Sequence, residues 1–253
     1  MKKIYLILHI TIFTLSYITA RDHAYSLDSE KRQMGFFQPN IFTFDNKYEL
    51  SIHPLLFFVL PNAKIKKFHN DYNGLGIATR YGFYYPTPIL KMLQKKGKFG
   101  FISKDPEIRD IPQLWILQSE VLATKIFSNY HITSKFGLSL CIDCDLDPRH
   151  IIDYDLIYHR MAIYKHGYST NAGIDFDLFY FKNLSFKADL DLFILPKEKP
   201  FLEHKLLLHY HFLKKMTLTA GYKFCYGNLP FNRNNEFRWN LFPIIDLSWS
   251  WTK

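Results

Sequence analysis

Between Gly173 and Pro196 the chain reads GIDFDLFYFKNLSFKADLDLFILP, and Asp175, Asp177, Asp189 and Asp191 alternate there with Ile174, Phe176, Leu190 and Leu192. Successive side chains on a β-strand point to opposite faces, so such a run carries one polar face and one apolar face. The same alternation recurs along most of the chain. Leu75, Ile77, Tyr81 and Phe83 alternate with Gly76, Ala78, Arg80 and Gly82, and Phe136, Leu138, Leu140 and Ile142 with Lys135, Gly137, Ser139 and Asp143. Ile152, Tyr154, Leu156 and Tyr158 alternate with Asp153, Asp155 and His159. Leu206, Leu208, Tyr210 and Phe212 alternate with Lys205, His209 and His211, and Leu218, Tyr222, Phe224 and Tyr226 with Thr217, Thr219 and Lys223. The last segment sets Phe237, Trp239, Leu241, Ile245, Trp249 and Trp251 against Arg238, Asn240, Asp246, Ser248 and Ser250.

These segments run about 10 to 14 residues, against ~5–6 for an ordinary strand of a soluble protein and ~9–11 for a tilted strand that crosses a bilayer. Aromatic residues gather near segment ends, as at Tyr164, Tyr168, Tyr180, Phe181, Phe201 and Trp251, and the connections are short and polar. With residues 47–60 as a first strand, the pattern predicts an all-β antiparallel transmembrane barrel of about 10 strands, within a range of ~8–12. In the Gly173–Pro196 hairpin, both strands place their acids at odd positions, so the loop must be odd in length. A Phe181–Asn183 loop with a bulge sets Asp175 opposite Asp189 and Asp177 opposite Lys187. One connection breaks the pattern. In residues 85–112, Thr87 as N-cap, Pro88 at N1, the apolar set Ile89, Leu90, Met92 and Leu93, and Gly97 as stop predict a short basic helix. Pro54 and Pro243 fit a closed barrel only with local bulges.

The ends give an address. Lys2, Lys3, an apolar run from Ile4 to Leu15 and the small residue Ala20 make residues 1–20 a secretory signal peptide. Residues 21–46 then form an N-terminal segment and 47–253 the barrel. Nothing downstream reaches the ~18 consecutive apolar residues of a membrane-spanning helix. Phe, Tyr and Trp make up 18% of the chain, and its formal charge is +9 at neutral pH. For an exported protein, that excess points to lipopolysaccharide and phospholipid headgroups, with no nucleic acid partner. Cys141, Cys144 and Cys225 allow at most one internal disulfide. The C-I-D-C spacing lacks the βαβ surroundings of a redox motif, and residues three apart on a continuous strand face opposite sides.

The alternation is symmetric between a soluble barrel with its apolar face around a ligand and a membrane barrel with that face to lipid. The signal peptide, the strand lengths and a final strand dense in Trp239, Trp249 and Trp251 break the symmetry. In these features the chain resembles bacterial outer-membrane β-barrel proteins. That resemblance implies residence in the outer membrane of a Gram-negative bacterium, with outer-membrane lipid and the barrel assembly machinery as partners. Counting strands back from the C-terminus places 85–112 in the periplasm, as a contact for a periplasmic partner or as a plug.

On this reading the polar face is the lumen. Its charged members are Arg80, Glu120, Lys135, Asp143, Asp153, Asp155, Asp175, Asp177, Lys187, Asp189, Asp191, Glu203, Lys205, Lys223, Arg238 and Asp246, ten acids against six bases. A narrow barrel filled by long side chains favours their pairing in a salt-bridged core over an open, cation-favouring path. For catalysis, His209 and His211 share a face with Glu203 and Lys205, and His159 shares one with Asp153 and Asp155, the minimum for a histidine base oriented by a carboxylate. No G-x-S-x-G motif accompanies them. For metal, Asp143, Asp145 and Asp147 begin like a calcium loop with His150 nearby, but Pro148 stands where the turn needs Gly, and Tyr154 where a bidentate Glu belongs. Gly74-x-Gly76 lies in a strand without the helix of a phosphate loop, so no cofactor is expected. The leading expectation is a structural or narrow channel-like barrel with an acidic lumen. Its rivals are an outer-membrane enzyme acting on lipid or peptide, and a soluble periplasmic ligand-binding barrel.

Overall fold

The computed structural model describes residues 23–26, 31–35, 38–45, 47–93, 110–144, 163–181, 183–213, 215–228 and 237–252. Twelve antiparallel strands close into a barrel. They are β1 (Lys31–Gly35), β2 (Asn40–Phe44), β3 (Tyr48–Ile52), β4 (Asn62–Tyr72), β5 (Leu75–Tyr84) and β6 (Trp115–Ile126), followed by β7 (Tyr130–Ile142), β8 (Tyr168–Phe181), β9 (Leu184–Ile194), β10 (Phe201–Leu213), β11 (Met216–Asn228) and β12 (Phe237–Thr252). Each strand pairs with its sequence neighbours, and β1 pairs with β12 from Lys31↔Thr252 to Gly35↔Ser248 to close the ring. Among the described residues, three short helices sit in connections: α1 (Pro54–Phe57), α2 (Thr87–Leu93) and α3 (Ile163–His166).

Twelve strands replace the expected ten. Two of the additional strands, β1 and β2, come from residues ahead of position 47, and the stretch 47–60 divides into β3 and α1, with Pro54 at the helix start. The third is β4, joined to β5 by Asn73 and Gly74. Both have positive φ, 54° and 77°, the geometry of a tight hairpin turn. A register shift between Phe68 and Asn70 flips the parity of β4 midway and hides its alternation. The predicted strand at 152–159 lies outside the described residues, and the sheet passes directly from β7 to β8. With β7 next to β8, the connection that leaves β5 at Tyr84 and returns at Trp115 departs from the barrel end opposite Lys31 and Thr252. The five turns of two or three residues share one end with Lys31 and Thr252, called here the inner end. The connections 85–114 and 143–167 share the other, outer end.

Pro243 needs no bulge. It pairs opposite Tyr222 on β11 in unbroken register, in the part of β12 that extends beyond the short β1. The β8–β9 hairpin has the anticipated pairs Asp175↔Asp189 and Asp177↔Lys187, but not the odd Phe181–Asn183 loop: Phe181 pairs with Leu184 across two residues, and the shift between Phe179 and Phe181 within the strand restores the parity.

The two faces of the sheet separate completely. Ile65, Tyr81, Leu117, Val121, Phe136, Leu138, Ile174, Leu190, Leu218, Leu241 and Ile245 are all exposed on the outside. The interior positions next to them in sequence, among them Lys66, Arg80, Glu120, Lys135, Asp175, Asp189, Asp191 and Asp246, are buried. The soluble-barrel alternative requires the apolar face inside, and the structure places it outside. Aromatic residues ring both rims. Tyr85 stacks on Trp115 at 4.4 Å and Tyr226 on Phe237 at 5.2 Å at the outer end, while Phe127 stacks on Tyr130 at 4.5 Å at the inner end.

Candidate functional site

The interior is packed with charge. At its centre the Lys135 ammonium, on β7, lies 2.9 Å from Asp175 Oδ1 on β8 and 2.9 Å from Asp191 Oδ1 on β9. Gly173 makes this reach possible. A Cβ there would stand 2.0 Å from Asp191 Oδ1 and 2.5 Å from Lys135 Cε, so the small residue on β8 leaves the gap that the lysine crosses. Asp189 takes Lys205, whose Nζ donates to Oδ2 at 2.5 Å and whose backbone N–H donates to Oδ1 at 3.0 Å. Lys223 pairs with Glu203 at 2.7 Å, Lys66 with Glu49 at 3.0 Å, and Arg80 Nε donates to Glu120 Oε2 at 2.6 Å. Asn171 Nδ2 donates to the other Glu120 oxygen at 3.3 Å.

All these groups are nearly sealed from solvent. Among the described residues, the buried charges are seven carboxylates and six cations. An unpaired ion in such a place would cost several kcal/mol, and the close pairing of opposite charges offsets most of that desolvation. A water-filled pore would leave lumen side chains wet, so their burial means that the centre of the barrel is filled. Of the remaining lumen candidates, Asp177 and Lys187 face each other in register near the inner end, partly buried. Arg238 of β12 pairs opposite Gly227 of β11. Asp153, Asp155 and His159 lie outside the described residues. The sequence pattern missed Glu49, Lys64 and Lys66. The last two sit at alternate positions of β4, and the Asn73-Gly74 turn was the signal that could have found them.

Asp143 is exposed and turns away at φ 60°, ending β7. That turn brings Cys144 back to Cys141, and the two form a disulfide at the outer rim, whereas a continuous strand would have set them on opposite faces. Of the metal candidates, Asp145, Asp147 and His150 lie outside the described residues, and no cluster of three or more metal-ligating side chains exists among the described ones. His209 Nδ1 is 2.8 Å from Thr219 Oγ1, and His211 Nδ1 is 2.8 Å from Thr217 Oγ1. Both lie on β10 near the inner end, and a threonine hydroxyl of β11 meets the Nδ1 of each.

Chain from outside the strands packs against the barrel at both ends. At the outer end, Leu90 of α2, Ile111, Leu114, Ile163 and Tyr164 of α3 and Leu195 pack with Tyr84 and Ile116 from the tops of β5 and β6. Thr87 does not cap α2. Its hydroxyl accepts from the Leu114 N–H at 2.8 Å and donates to Pro112 O at 2.9 Å, which ties the two ends of the connection together. At the inner end the chain's own residues 23–26 enter the barrel. The Ala24 N–H donates to Thr124 Oγ1 at 2.7 Å, and Ala24 is fully buried against Ala78 and Leu122. Lys66 Nζ donates to the carbonyls of His23 and Tyr25 at 3.1 and 3.3 Å, and the Tyr25 hydroxyl donates to Asp71 Oδ2 at 2.6 Å. Burial, reinforced by the hydrogen bond to Asp71 and its negative charge, pushes the Tyr25 phenol up to about 12.

No family model matches the chain, and no curated protein matches it. Among solved structures it is similar to outer-membrane β-barrels. The KdgM porin in complex with disordered oligogalacturonate aligns at 8% identity over 88% of this chain and 97% of that chain, with a TM-score of 0.46. OmpT, an outer membrane protein of Vibrio cholerae, aligns at 10% identity over 84% of this chain and 64% of its own, with a TM-score of 0.45. The P. putida toluene transporter TodX aligns at 9% identity over 90% of this chain and 80% of its own, with a TM-score of 0.38. Likeness at this level assigns no function.

Proposed function

We propose that the protein is an integral barrel of the outer membrane of a Gram-negative bacterium, closed at rest, with a structural or narrow channel-like role. One observation carries the reading: the exposed apolar belt lies outside while the charges lie inside. Apolar patches of more than a few hundred Å² are rare on soluble monomers, and a belt around the whole circumference has lipid as its natural solvent. The aromatic rims fit the two interfaces of a bilayer. Residues 1–20 supply the export signal, and the outer end carrying the longer connections faces the cell exterior. Lipopolysaccharide is the neighbour that suits the chain's positive charge, and the aromatic β12 is the feature offered to the assembly machinery.

The filled interior favours a scaffold or a gated conduit over an open pore. A path opened through the interior would pass, among the described residues, seven buried carboxylates and six buried cations, a weak preference for cations. Membrane fractionation with gels of unboiled and boiled sample tests the reading. Residence in the outer membrane with a heat-dependent mobility shift is expected. Recovery in the soluble periplasm would overturn it.

A further inference from the structure

Residues 23–26 are held by side chains from three strands. The Lys66 ammonium, from β4, bridges two of their carbonyls, and Thr124 of β6 accepts the Ala24 amide. Asp71, near the inner end of β4, takes the Tyr25 hydroxyl, and the Tyr25 ring lies 5.3 Å from that of Phe68. Gly76 of β5 completes the seat. A Cβ there would stand 2.5 Å from Tyr25 Cζ and 2.8 Å from its Cε2, so the glycine forms the slot in which the ring lies. Ala24 fits between Ala78 and Leu122, where a larger side chain would meet the wall. A cation aimed at carbonyls, a carboxylate aimed at a phenol and a slot shaped for a ring are the parts of a peptide receptor. Yet the segment adds no strand to the sheet and joins β1 through residues 27–30. Its attachment is therefore separable from barrel closure, which β1 and β12 complete without it.

We infer that the inner end of the barrel is a binding site for a short peptide with a small residue followed by tyrosine, and that residues 23–26 occupy it as an exchangeable closure. The inference rests on the membrane-barrel reading and adds to it a removable inner seal. When the segment leaves, water reaches Thr124, Thr133 and the Arg80–Glu120 pair above them from the inner side. When it sits, or when a peptide of the same kind replaces it, these groups are dry.

The test uses the full chain in proteoliposomes, with Cys225→Ser to remove background and Thr133→Cys as a buried reporter near the seat. A membrane-impermeant thiol reagent is added from the inner side. Tyr25→Ala loses the charge-assisted bond to Asp71, so labelling should accelerate by about tenfold or more. The synthetic peptide Arg-Asp-His-Ala-Tyr-Ser-Leu should then restore slow labelling, and the same peptide with Ala for Tyr should not. Gly76→Leu fills the slot, so it should accelerate labelling in a way that the peptide cannot reverse. Unchanged labelling in both variants would overturn the closure, and acceleration that the peptide leaves untouched would overturn the exchangeable site. The heat-dependent mobility shift of each variant reports separately on the barrel, so loss of that shift in the parent marks failure of the membrane reading instead.

Discussion

Strands β6 to β12 run 11 to 16 residues each, while β1, β2 and β3 run five each. In the tall wall, interior charges from neighbouring strands satisfy one another: Lys135 with Asp175 and Asp191, Lys205 with Asp189, and Lys223 with Glu203. The short wall contributes Glu49 to this network, and its partner Lys66 also holds the carbonyls of the inserted segment 23–26. The inserted segment thus lies against β4, β5 and the inner end of β6, where the tall wall begins.

The largest effect should come from the tall wall. Lys135→Ala leaves Asp175 and Asp191 buried without their shared cation, and should cost ~3–5 kcal/mol in urea unfolding from bilayers. Adding Asp175→Asn and Asp191→Asn to Lys135→Met should recover most of that loss, since uncompensated charge is the source of the penalty. A triple variant as unstable as Lys135→Ala would break the ion-pair account.

The outer face offers the next test. Phe136 stands midway along β7 and is 59% exposed, while Phe44 ends β2 at the inner rim and is 55% exposed. Equal exposure predicts equal tolerance in water. In a bilayer, lysine should cost ~2–4 kcal/mol at Phe136 and ~0–1 kcal/mol at Phe44. Equal small costs at both positions would contradict a lipid-facing wall.

Gly173→Val should cost ~1–3 kcal/mol by overpacking, because its side chain occupies the gap through which Lys135 reaches Asp191. Its effect should shrink when Lys135→Met is already present, which double-mutant unfolding would reveal.

The smallest effect belongs to the inserted segment. The Tyr25 phenol is raised to about 12 from an ordinary value of 10.0, so the seated state favours the protonated ring. Its contribution to holding the segment is fully present below about pH 10 and is lost as pH rises through about 12. Subtracting the ultraviolet tyrosinate titration of Tyr25→Phe from that of the parent should give one step near pH 12. A step near pH 10 would mean that Tyr25 stands in water.

The tall wall was legible because it repeats one rule for long enough. From β5 onward, strands of ten or more residues show their period, and parity together with one bulge near the turn gives the β8–β9 register that sets Asp175 opposite Asp189. Five residues such as Asn40–Phe44 are too few to show a period, and the shift near Phe68 breaks the period of β4 where it would have become visible. The closure by residues 23–26 had no signal in sequence, because a cradle built from Lys66, Asp71, Gly76 and Thr124 exists only once three strands stand side by side.

All four tryptophans lie on the outer face near the rims: Trp115 and Trp239 at the outer end, Trp249 and Trp251 at the inner. Their fluorescence, measured in bilayers of lipids brominated near the headgroup or deep in the acyl chain and compared with quenching by acrylamide from water, tests the inside-out arrangement directly. A membrane barrel predicts strong quenching by both brominated lipids, stronger for the shallow bromine, and weak quenching by acrylamide. Strong quenching by acrylamide with none from either lipid would show that the apolar belt meets water or protein, and would contradict the account.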